Sequence, residues 1–455
     1  MIVVDLLYIL QSEQYSFARF CKFVFSHLDW WRLQKRQKIK WTYKLRLIWS
    51  LTWLILLFLW FGSYLLFGFL GLFAGMFFLM TLPLIIGVVL SIVWPFDYLV
   101  KQQIIRKAKK IIQKKAFFVV GITGSYGKTS TKEMLNTILK EQFKVIVTPE
   151  NINTDLGVAQ FIVKNQEELK QAEILIVEMG AYKLGDIKNI CDIVRPDIGL
   201  LTGINEAHLE RFGSLENTIK AKFELALAAQ KMVIFNLDDR NMAMNYELFK
   251  VDNMIGTTKN NVQEIDFKEN FAGFSFVFED IKFTTKLLAE HNISLILLCI
   301  EAAKFLGMDK NKIISGVAAS EYVPHRLEPI YNRQTDIWVI DDSYNGNKNG
   351  IISGVEVVKR GKGRKIVLTP GLVELGSQEK VIHQEIADLY IKSGIDLVLL
   401  IKNRVTGYVE EVFKKNNYHT YKMYESTEAA HADLPNILKK GDTIIFQNDW
   451  PDQYF

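Results

Sequence analysis

The stretch FFVVGITGSYGKTS, residues 117–130, decides the fold of this chain. Its apolar start predicts a buried strand, its glycines at 124 and 127 predict a tight loop, and its polar end predicts the first turn of a helix. Backbone N–H groups of such a loop point inward, and the helix N-terminus adds positive potential. The stretch therefore predicts a phosphate-binding turn in an α/β protein.

Two side chains that follow the loop have the chemistry of nucleotide binding. Lys128 would reach the outer phosphates, and Thr129 would ligate Mg²⁺. The usual motif has a glycine five residues before Gly127, whereas this chain has Ile122 there and its glycine at 124. The alternative is a tight strand-to-helix turn with a chance Gly-Lys-Thr. The apolar run before the loop and the polar helix start after it favour nucleotide binding.

Outward from this stretch, short apolar runs alternate with helical segments, which is typical of a parallel sheet covered on both faces. The first set of runs spans residues 117–122, 145–147, 174–177, 198–202 and 232–235. A second set begins near residue 325 and spans residues 337–340, 365–368, 397–400 and 443–446. We therefore predict two α/β domains, residues 116–323 and 324–455. Alternating aromatic and polar residues at 267–286 predict a hairpin inside the first domain.

The N-terminal part has a different composition, with no charged residue from Leu47 to Phe96. About 50 residues suffice for two membrane spans, because one span needs roughly 20. The flanks at 32–46 and 97–115 carry seven basic residues each, and positively charged flanks stay on the cytoplasmic side. We therefore predict a transmembrane helical hairpin at 47–96 in the cytoplasmic membrane, with the α/β domains facing the cytoplasm. An amphipathic and basic segment (1–46) precedes the hairpin, and a basic linker (97–115) follows it.

The charge distribution favours membrane lipids as a partner and argues against nucleic acid. The net charge is +5, but the basic excess lies in the two flanks, where it would hold anionic headgroups. No basic patch recurs in the rest of the chain, so a nucleic-acid footprint is absent. The three cysteines, Cys21, Cys191 and Cys299, form no CxxC pair, which indicates neither a zinc site nor a disulfide framework.

An apolar stripe at helical spacing runs through the first residues of the chain. Its members are Leu6, Leu10, Phe17, Phe20 and Val24. This pattern fits an amphipathic helix at the membrane interface or a helix packed on the α/β domains, and the sequence favours neither.

Further motifs follow the loop in a fixed order. They are TPENINTDLG at 148–157, EMGA at 178–181, RPD at 195–197, AHLERFGS at 207–214, KAKFE at 220–224, NLDD at 236–239, HN at 291–292, PHRLE at 324–328, DDSYNGN at 341–347 and GLVELG at 371–376. With TGSYGKTST at 123–131, the ordered set resembles the Mur ligase family, and within it the branch that adds D-alanyl-D-alanine. The resemblance covers residues 117 to about 380 and weakens towards 447. It implies a P-loop central domain, with a parallel sheet between helices, and a Rossmann-like C-terminal ligase domain.

The resemblance also implies an activity. Mur ligases are ATP- and Mg²⁺-dependent, ADP-forming amide ligases that activate a carboxylate as an acyl phosphate. The expected reaction adds D-alanyl-D-alanine, or a similar amino acceptor, to a peptidoglycan-precursor peptide. Two other interpretations stay open: a poly-γ-glutamate or capsule-type amide ligase, and a non-catalytic nucleotide-binding scaffold on the membrane.

Site residues follow from the matched motifs. The resemblance implies four catalytic residues, Lys128, His208, Lys222 and Arg326. It implies metal ligation by Thr129, Glu178, His208 and Lys222, the last of which would act as a carbamate. The expected nucleotide contacts come from Gly124, Ser125, Gly127, Lys128, Thr129, Ser130, Asn236, Asn292, Arg326, Asp342 and Asn345. Among the matched motifs, NLDD at 236–239 and HN at 291–292 resemble the adenine-pocket elements of the family.

The chain departs from the family at both ends. Mur ligases that use nucleotide sugars have an N-terminal domain that grips uridine diphosphate, and here that region is the predicted hairpin. The donor peptide is therefore expected to be either nucleotide-linked or lipid-linked. At the other end, residues 446–455 replace the family's Lys-Gly-Ser-Arg stretch, so the acceptor is not fixed by the motif.

Overall fold

The computed structural model describes residues 2–13, 15–26, 39–68, 71, 81–205, 209–249, 251–344, 346–372 and 375–447. For residues 209, 210 and 377 only the backbone is described. The chain divides into two compact units, Met1–Ile104 and Ile105–Phe455.

The first unit is helical. Its helices are α1 (Ile2–Ser12), α2 (Phe17–Ser26), α3 (Tyr43–Phe67) and α4 (Leu82–Gln113), the last of which continues into the second unit. By length and composition, α3 and α4 are each long and apolar enough to cross a membrane. This confirms the two apolar helices of the predicted hairpin, whereas most of the segment between them lies outside the described residues. The predicted basic linker is helical as far as Gln113.

The N-terminal apolar stripe forms two helices rather than one. The chain breaks after α1, where the Ser12 hydroxyl donates to the Ile9 carbonyl and Tyr15 takes a left-handed φ of 60°. Both helices pack with α3 and α4 in one buried cluster. Helix α2 approaches α4 so closely that a Cβ at Gly87 would lie 2.5 Å from the Phe17 ring. Within this unit, the stripe therefore faces the two long apolar helices.

An ion-pair cluster joins the start of α3 to the middle of α4. The Thr42 side chain caps α3 by accepting from the Leu45 N–H at 3.2 Å. Lys44 and Lys101 place their ammonium groups 2.9 and 3.2 Å from the Asp97 carboxylate. The one acidic residue of the basic flanks is thus neutralised by two lysines.

The second unit begins with the predicted parallel sheet, in the order β2-β3-β1-β4-β5-β6. Its strands are β1 (Phe118–Thr123), β2 (Val145–Val147), β3 (Ile174–Glu178), β4 (Ile198–Leu201), β5 (Met232–Asn236) and β6 (Met254–Thr257). All neighbouring strands pair in parallel. This confirms the first five apolar runs as strands and adds β6 at the edge.

Helices cover both faces of this sheet, as predicted. They are α5 (Lys128–Lys140), α6 (Asp155–Lys164), α7 (Gln166–Leu169), α8 (Asp186–Val194), α9 (Leu209–Phe212), α10 (Leu215–Ala228), α11 (Arg240–Asn245), α12 (Asn292–Phe305) and α13 (Lys310–Ala319). Helices α5, α12 and α13 pack together, and α8 packs on α10. Because both faces are buried, the strands are almost continuously apolar.

A small antiparallel sheet and a mixed sheet complete the unit. Strands β7 (Val262–Phe267), β8 (Phe274–Phe278) and β9 (Ile281–Thr285) form an antiparallel sheet that contains the predicted hairpin. The last sheet has the order β10-β11-β15-β12-β13-β14. Its strands are β10 (Glu328–Asn332), β11 (Ile337–Asp342), β12 (Lys365–Thr369), β13 (Leu397–Ile401), β14 (Tyr421–Tyr424) and β15 (Thr443–Gln447). The accompanying helices are α14 (Lys348–Val358), α15 (Glu379–Lys392), α16 (Thr406–Lys415) and α17 (Thr427–Ile437).

A buried carboxylate fixes the path of the chain from α4 into β1. Asp197 lies just before β4 and is 4% exposed. Its carboxylate accepts from the Lys115 ammonium at 2.5 Å and from the Val119 N–H at 2.9 Å. Lys231 lies 3.2 Å away on the other side. The end of the basic segment is therefore tied to the strand that leads into the phosphate loop.

Candidate active site

The predicted phosphate loop connects β1 to α5 at the carboxyl edge of the parallel sheet, where ligands bind in open α/β sheets. Gly127 takes a left-handed φ of 75° at the helix N-cap, which a residue with a side chain rarely adopts. A Cβ at Gly124 would overlap the Thr202 hydroxyl. The Ser125 N–H donates to the Gly203 carbonyl at 2.7 Å. The loop is thus seated on the segment that follows β4.

Lys128 curls back over this loop. Its ammonium donates to the Gly124 carbonyl at 2.8 Å. Burial lowers the pKa of Lys128, with the Arg326 charge acting in the same direction and the Glu178 charge opposing it. The ammonium therefore lies among the charged groups that the sequence predicts for the nucleotide.

The structure brings the predicted metal ligands Thr129 and Glu178 together. The Thr129 hydroxyl donates to one Glu178 carboxylate oxygen at 3.1 Å. The Asn153 amide donates to the other oxygen at 3.4 Å. Glu178 is 4% exposed, at the end of β3. A hydroxyl and a carboxylate at the loop mouth are oxygen ligands of the kind that Mg²⁺ prefers.

Lys132 is a residue that the sequence reasoning passed over. Its side chain is fully buried, and its ammonium donates to the Thr148 carbonyl at 3.1 Å. The ammonium also lies 3.5 Å from Glu178 and 3.3 Å from Glu133. The available signal was the spacing of four residues from Lys128, which puts both lysines on one face of α5.

Lys222 lies in α10 and is 3% exposed. Burial lowers the pKa of its amine well below the ordinary value, and the charge of Lys128 adds to this effect, while Asp186 and Glu224 oppose it. The ammonium position lies 5.7 Å from the centre of the Phe212 ring. Burial and the Lys128 charge thus disfavour the charged form of this amine. His208, its predicted companion, lies outside the described residues.

The predicted adenine-side residues are placed differently from one another. The Asn236 amide donates to the Thr202 carbonyl at 2.7 Å, and its oxygen accepts from the Asp238 N–H at 3.1 Å. Asn236 therefore uses both ends of its amide to hold backbone. Asn292 is 8% exposed in the first turn of α12. Ser130, which is predicted with the phosphate loop, is partly buried in the first turn of α5.

The last sheet contributes a third group of predicted residues. The Arg326 guanidinium stacks on the Tyr344 ring at 4.6 Å, and its Nε is buried with no partner among the described residues. Burial raises the pKa of Asp342 to about 7, although the Leu327 N–H and the Arg326 charge act to lower it. The Tyr344 hydroxyl donates to the Asn151 amide oxygen at 3.3 Å and so links the segment after β11 to the segment after β2. Asn345 lies outside the described residues.

These residues fit a polyphosphate with a divalent cation. Three basic side chains, Lys128, Lys222 and Arg326, lie close enough to one another or to Glu178 for their charges to interact. The orphaned Arg326 Nε calls for an anionic oxygen, because a buried donor without a partner is costly. A cavity of about 350 Å³ opens beside Thr129 and reaches residues 319–324.

Comparisons with known proteins agree with this geometry. Residues 122–303 match the Mur ligase middle domain. The chain is 31% identical over 311 residues to the UDP-N-acetylmuramoyl-tripeptide–D-alanyl-D-alanine ligase of Buchnera aphidicola, covering 66% of this chain and 67% of that protein. The enzyme of the same name from Bacillus subtilis is 26% identical, with 75% of each chain covered. The crystal structure of MurF ligase from Thermotoga maritima in complex with ADP superposes with a TM-score of 0.67, at 25% identity, over 77% of this chain and 80% of that chain.

Proposed function

Because this chain belongs to the Mur ligase family, and is thus an ATP- and Mg²⁺-dependent, ADP-forming amide ligase, we propose that it adds D-alanyl-D-alanine or a similar amino acceptor to a peptidoglycan-precursor peptide. The observation that carries the proposal is that the Thr129 hydroxyl lies 3.1 Å from a Glu178 carboxylate oxygen, near Lys128 at the loop. Relatives named for this reaction support the acceptor.

The residues of the loop have separate tasks in this proposal. When bound, ATP supplies the phosphoryl group that turns the donor carboxylate into a good acyl donor, from which phosphate leaves as the amine attacks. Lys128 and Arg326 hold the negatively charged groups together, and such fixed charge is usually the largest catalytic contribution. Thr129 and Glu178 would hold Mg²⁺, and the backbone of Gly124, Ser125, Gly127 and Ser130 would bind the phosphates.

Lys222 is proposed to act as a carbamate that helps to ligate metal together with His208. Carbamate formation needs a neutral amine, and the pKa of Lys222 is lowered by burial and by Lys128. The modified side chain is an anion and would attract the metal that an ammonium would repel.

The nucleotide is proposed to lie between a central domain, residues 116–323, and a C-terminal domain, residues 324–455. Asn236 and Asn292 would contribute from the first domain, and Arg326, Asp342 and Asn345 from the second. The contact between Tyr344 and Asn151 supports this arrangement, because it already links the segment after β11 to the segment after β2, next to Glu178. Groups on two domains would complete the site on closure.

The enzyme is further proposed to lie at the cytoplasmic membrane, with its catalytic part in the cytoplasm. Helices α3 and α4 are long and apolar enough to span it, and basic residues flank both. In sequence order, the apolar segment precedes residues 116–323, at the place where Mur ligases that use nucleotide sugars have the domain that grips uridine diphosphate. A lipid-linked donor peptide therefore suits this chain better than a UDP-linked donor.

The test is a ligation assay on the full-length protein in detergent. Mg-ATP and D-alanyl-D-alanine are supplied with either a UDP-linked or a lipid-linked muramyl peptide, and the products are identified by mass spectrometry. We expect a mass gain of one dipeptide less one water, strongest with the lipid-linked donor. Lys128→Ala should abolish the gain, and Lys140→Ala, at the exposed end of the same helix, should retain it.

Each other outcome has a definite meaning. A gain with the UDP-linked donor alone would refute the lipid-linked donor and leave the ligase. No gain with either donor, despite ATP binding, would favour the capsule-type ligase and make glutamate the next acceptor to test.

A further inference from the structure

Tyr126, at the centre of the phosphate loop, is not among the residues that the motif assigns to the nucleotide. Its hydroxyl donates to one Asp239 carboxylate oxygen at 2.8 Å. The other Asp239 oxygen accepts from the Met242 N–H at 2.8 Å and caps α11. Asp239 is 7% exposed, so this hydrogen bond is shielded from water. The loop is therefore connected by a side chain to the segment that follows β5.

The rest of Tyr126 is held as firmly as its hydroxyl. Its ring lies on Gly203 so closely that a Cβ at 203 would overlap the ring. Its carbonyl accepts a hydrogen bond from the Thr202 hydroxyl. Burial raises the pKa of Tyr126, with Asp239 acting in the same direction, so the hydroxyl stays protonated and remains a donor. Hydroxyl, ring and carbonyl thus fix this residue at three points.

A second connection runs parallel to the first. The Asn236 amide donates to the Thr202 carbonyl at 2.7 Å. Asn236 and Asp239 belong to the same segment, which the family resemblance places beside adenine. The bridge from Tyr126 to Asp239 therefore joins the phosphate loop directly to the adenine-side segment, and the bridge from Asn236 does so through Thr202, whose hydroxyl donates to the Tyr126 carbonyl.

We propose that Tyr126 is a positioning residue for the nucleotide. Through its hydrogen bond to Asp239, it sets the spacing between the loop N–H groups and the adenine-side segment, so that both ends of one nucleotide are bound at once. The inference rests on the proposed nucleotide site, and it adds a residue that acts through protein contacts alone.

The proposal is tested by measuring Mg-ADP binding to the full-length protein in detergent by calorimetry. Tyr126→Phe removes one hydroxyl. Asp239→Asn keeps one oxygen to cap α11 and replaces the oxygen that accepts from Tyr126 with an NH₂ group, which cannot accept. Because a hydrogen bond to a charged group is at stake, we expect each variant to bind Mg-ADP about tenfold more weakly. The double variant should be no weaker than either single variant, because both remove one shared interaction.

Tyr421→Phe is the matched control. Its hydroxyl donates to the Glu410 carboxylate at 3.1 Å, far along the chain in the edge strand β14, so Mg-ADP affinity should not change. Unchanged affinity in Tyr126→Phe, or losses that simply add in the double variant, would overturn the inference alone. Failure of the unaltered protein to bind Mg-ADP would overturn the proposed nucleotide site, and the inference with it.

Discussion

Lys132→Met should destabilise the nucleotide-binding sheet by about 3 kcal/mol, and Mg-ADP should restore part of that loss. The substitution keeps the length of a fully buried side chain and removes its charge. Glu178 would then be left with two neutral donors, Thr129 and Asn153. Removing one partner of a buried ion pair costs about 3–5 kcal/mol, because the other charge remains buried.

The magnitude follows from the geometry of the pair. At 3.5 Å, the ammonium and the carboxylate attract by about 5 kcal/mol at an effective dielectric constant near 20. Part of the lost attraction is offset, because methionine has no charge that must be removed from water on folding. Glu133 adds little, since its side chain is 40% exposed and can turn to water. The lower end of the range, about 3 kcal/mol, is therefore expected.

Thermal unfolding of the full-length protein, with and without Mg-ADP, is the assay. Mg²⁺ bound beside Glu178 supplies the missing positive charge, so the stabilisation by Mg-ADP should be larger in Lys132→Met than in the unaltered protein. The double variant Lys132→Met/Glu178→Gln should recover stability, since neither charge is left alone. Lys140→Met, at the exposed end of the same helix, should have no effect.

Two results would refute this reasoning. If Lys132→Met lowers the stability by the same amount with and without Mg-ADP, the metal does not replace the lysine charge beside Glu178. A double variant as unstable as Lys132→Met would mean that the cost comes from packing rather than from an unpaired carboxylate.

Three further predictions concern other parts of the catalytic unit. Gly203→Ala should weaken Mg-ADP binding at least tenfold by calorimetry, because its Cβ would displace the ring above it, whereas Gly407→Ala, in open space, should bind normally. Asp197→Asn should lower the thermal midpoint at pH 7. Burial raises the pKa of the Asp197 carboxyl, but Lys115 and the neighbouring donors outweigh this and lower it. The carboxylate therefore stabilises the fold above its unfolded pKa of about 4, and this stabilisation is lost as pH falls through the folded pKa. The difference from the unaltered protein should therefore vanish in acid. Lys222→Arg should abolish ligation, and the unaltered protein alone should show a carbamate signal in ¹³C NMR with labelled bicarbonate, because only a neutral amine reacts with CO₂.

The elements that the sequence predicted well are those whose signal is local. An apolar run followed by glycines and a polar helix start defines β1, the loop and α5, and the predicted runs of both alternations pair with one another as parallel strands. Strand β10 was not predicted, because it is a largely exposed antiparallel edge strand that contains Pro329 and has no apolar run. Strand β10 pairs on one side only, with the adjacent strand β11, so a proline and exposed side chains are tolerated in it and its own residues carry little signal.

The candidate site was predictable in the same uneven way. Thr129 and Glu178 could be paired because a loop and a strand end meet at one sheet edge. Lys132 was missed, since Thr148 and Glu178 come near it only on folding, and its spacing of four residues from Lys128 was the one local signal. Asn236 was predicted as a ligand from its motif, yet its amide holds the Thr202 carbonyl, a contact that depends on the spacing of two parallel strands.

The contact between Tyr126 and Gly203 has a consequence for how such a site can evolve. With the tyrosine ring in place, any side chain at position 203 meets it, so position 203 cannot change first. A smaller residue at 126 would clear that space, after which alanine or serine at 203 becomes sterically accessible. We therefore expect substitution of Tyr126 to come before substitution of Gly203 in descendants of this chain, and not after it.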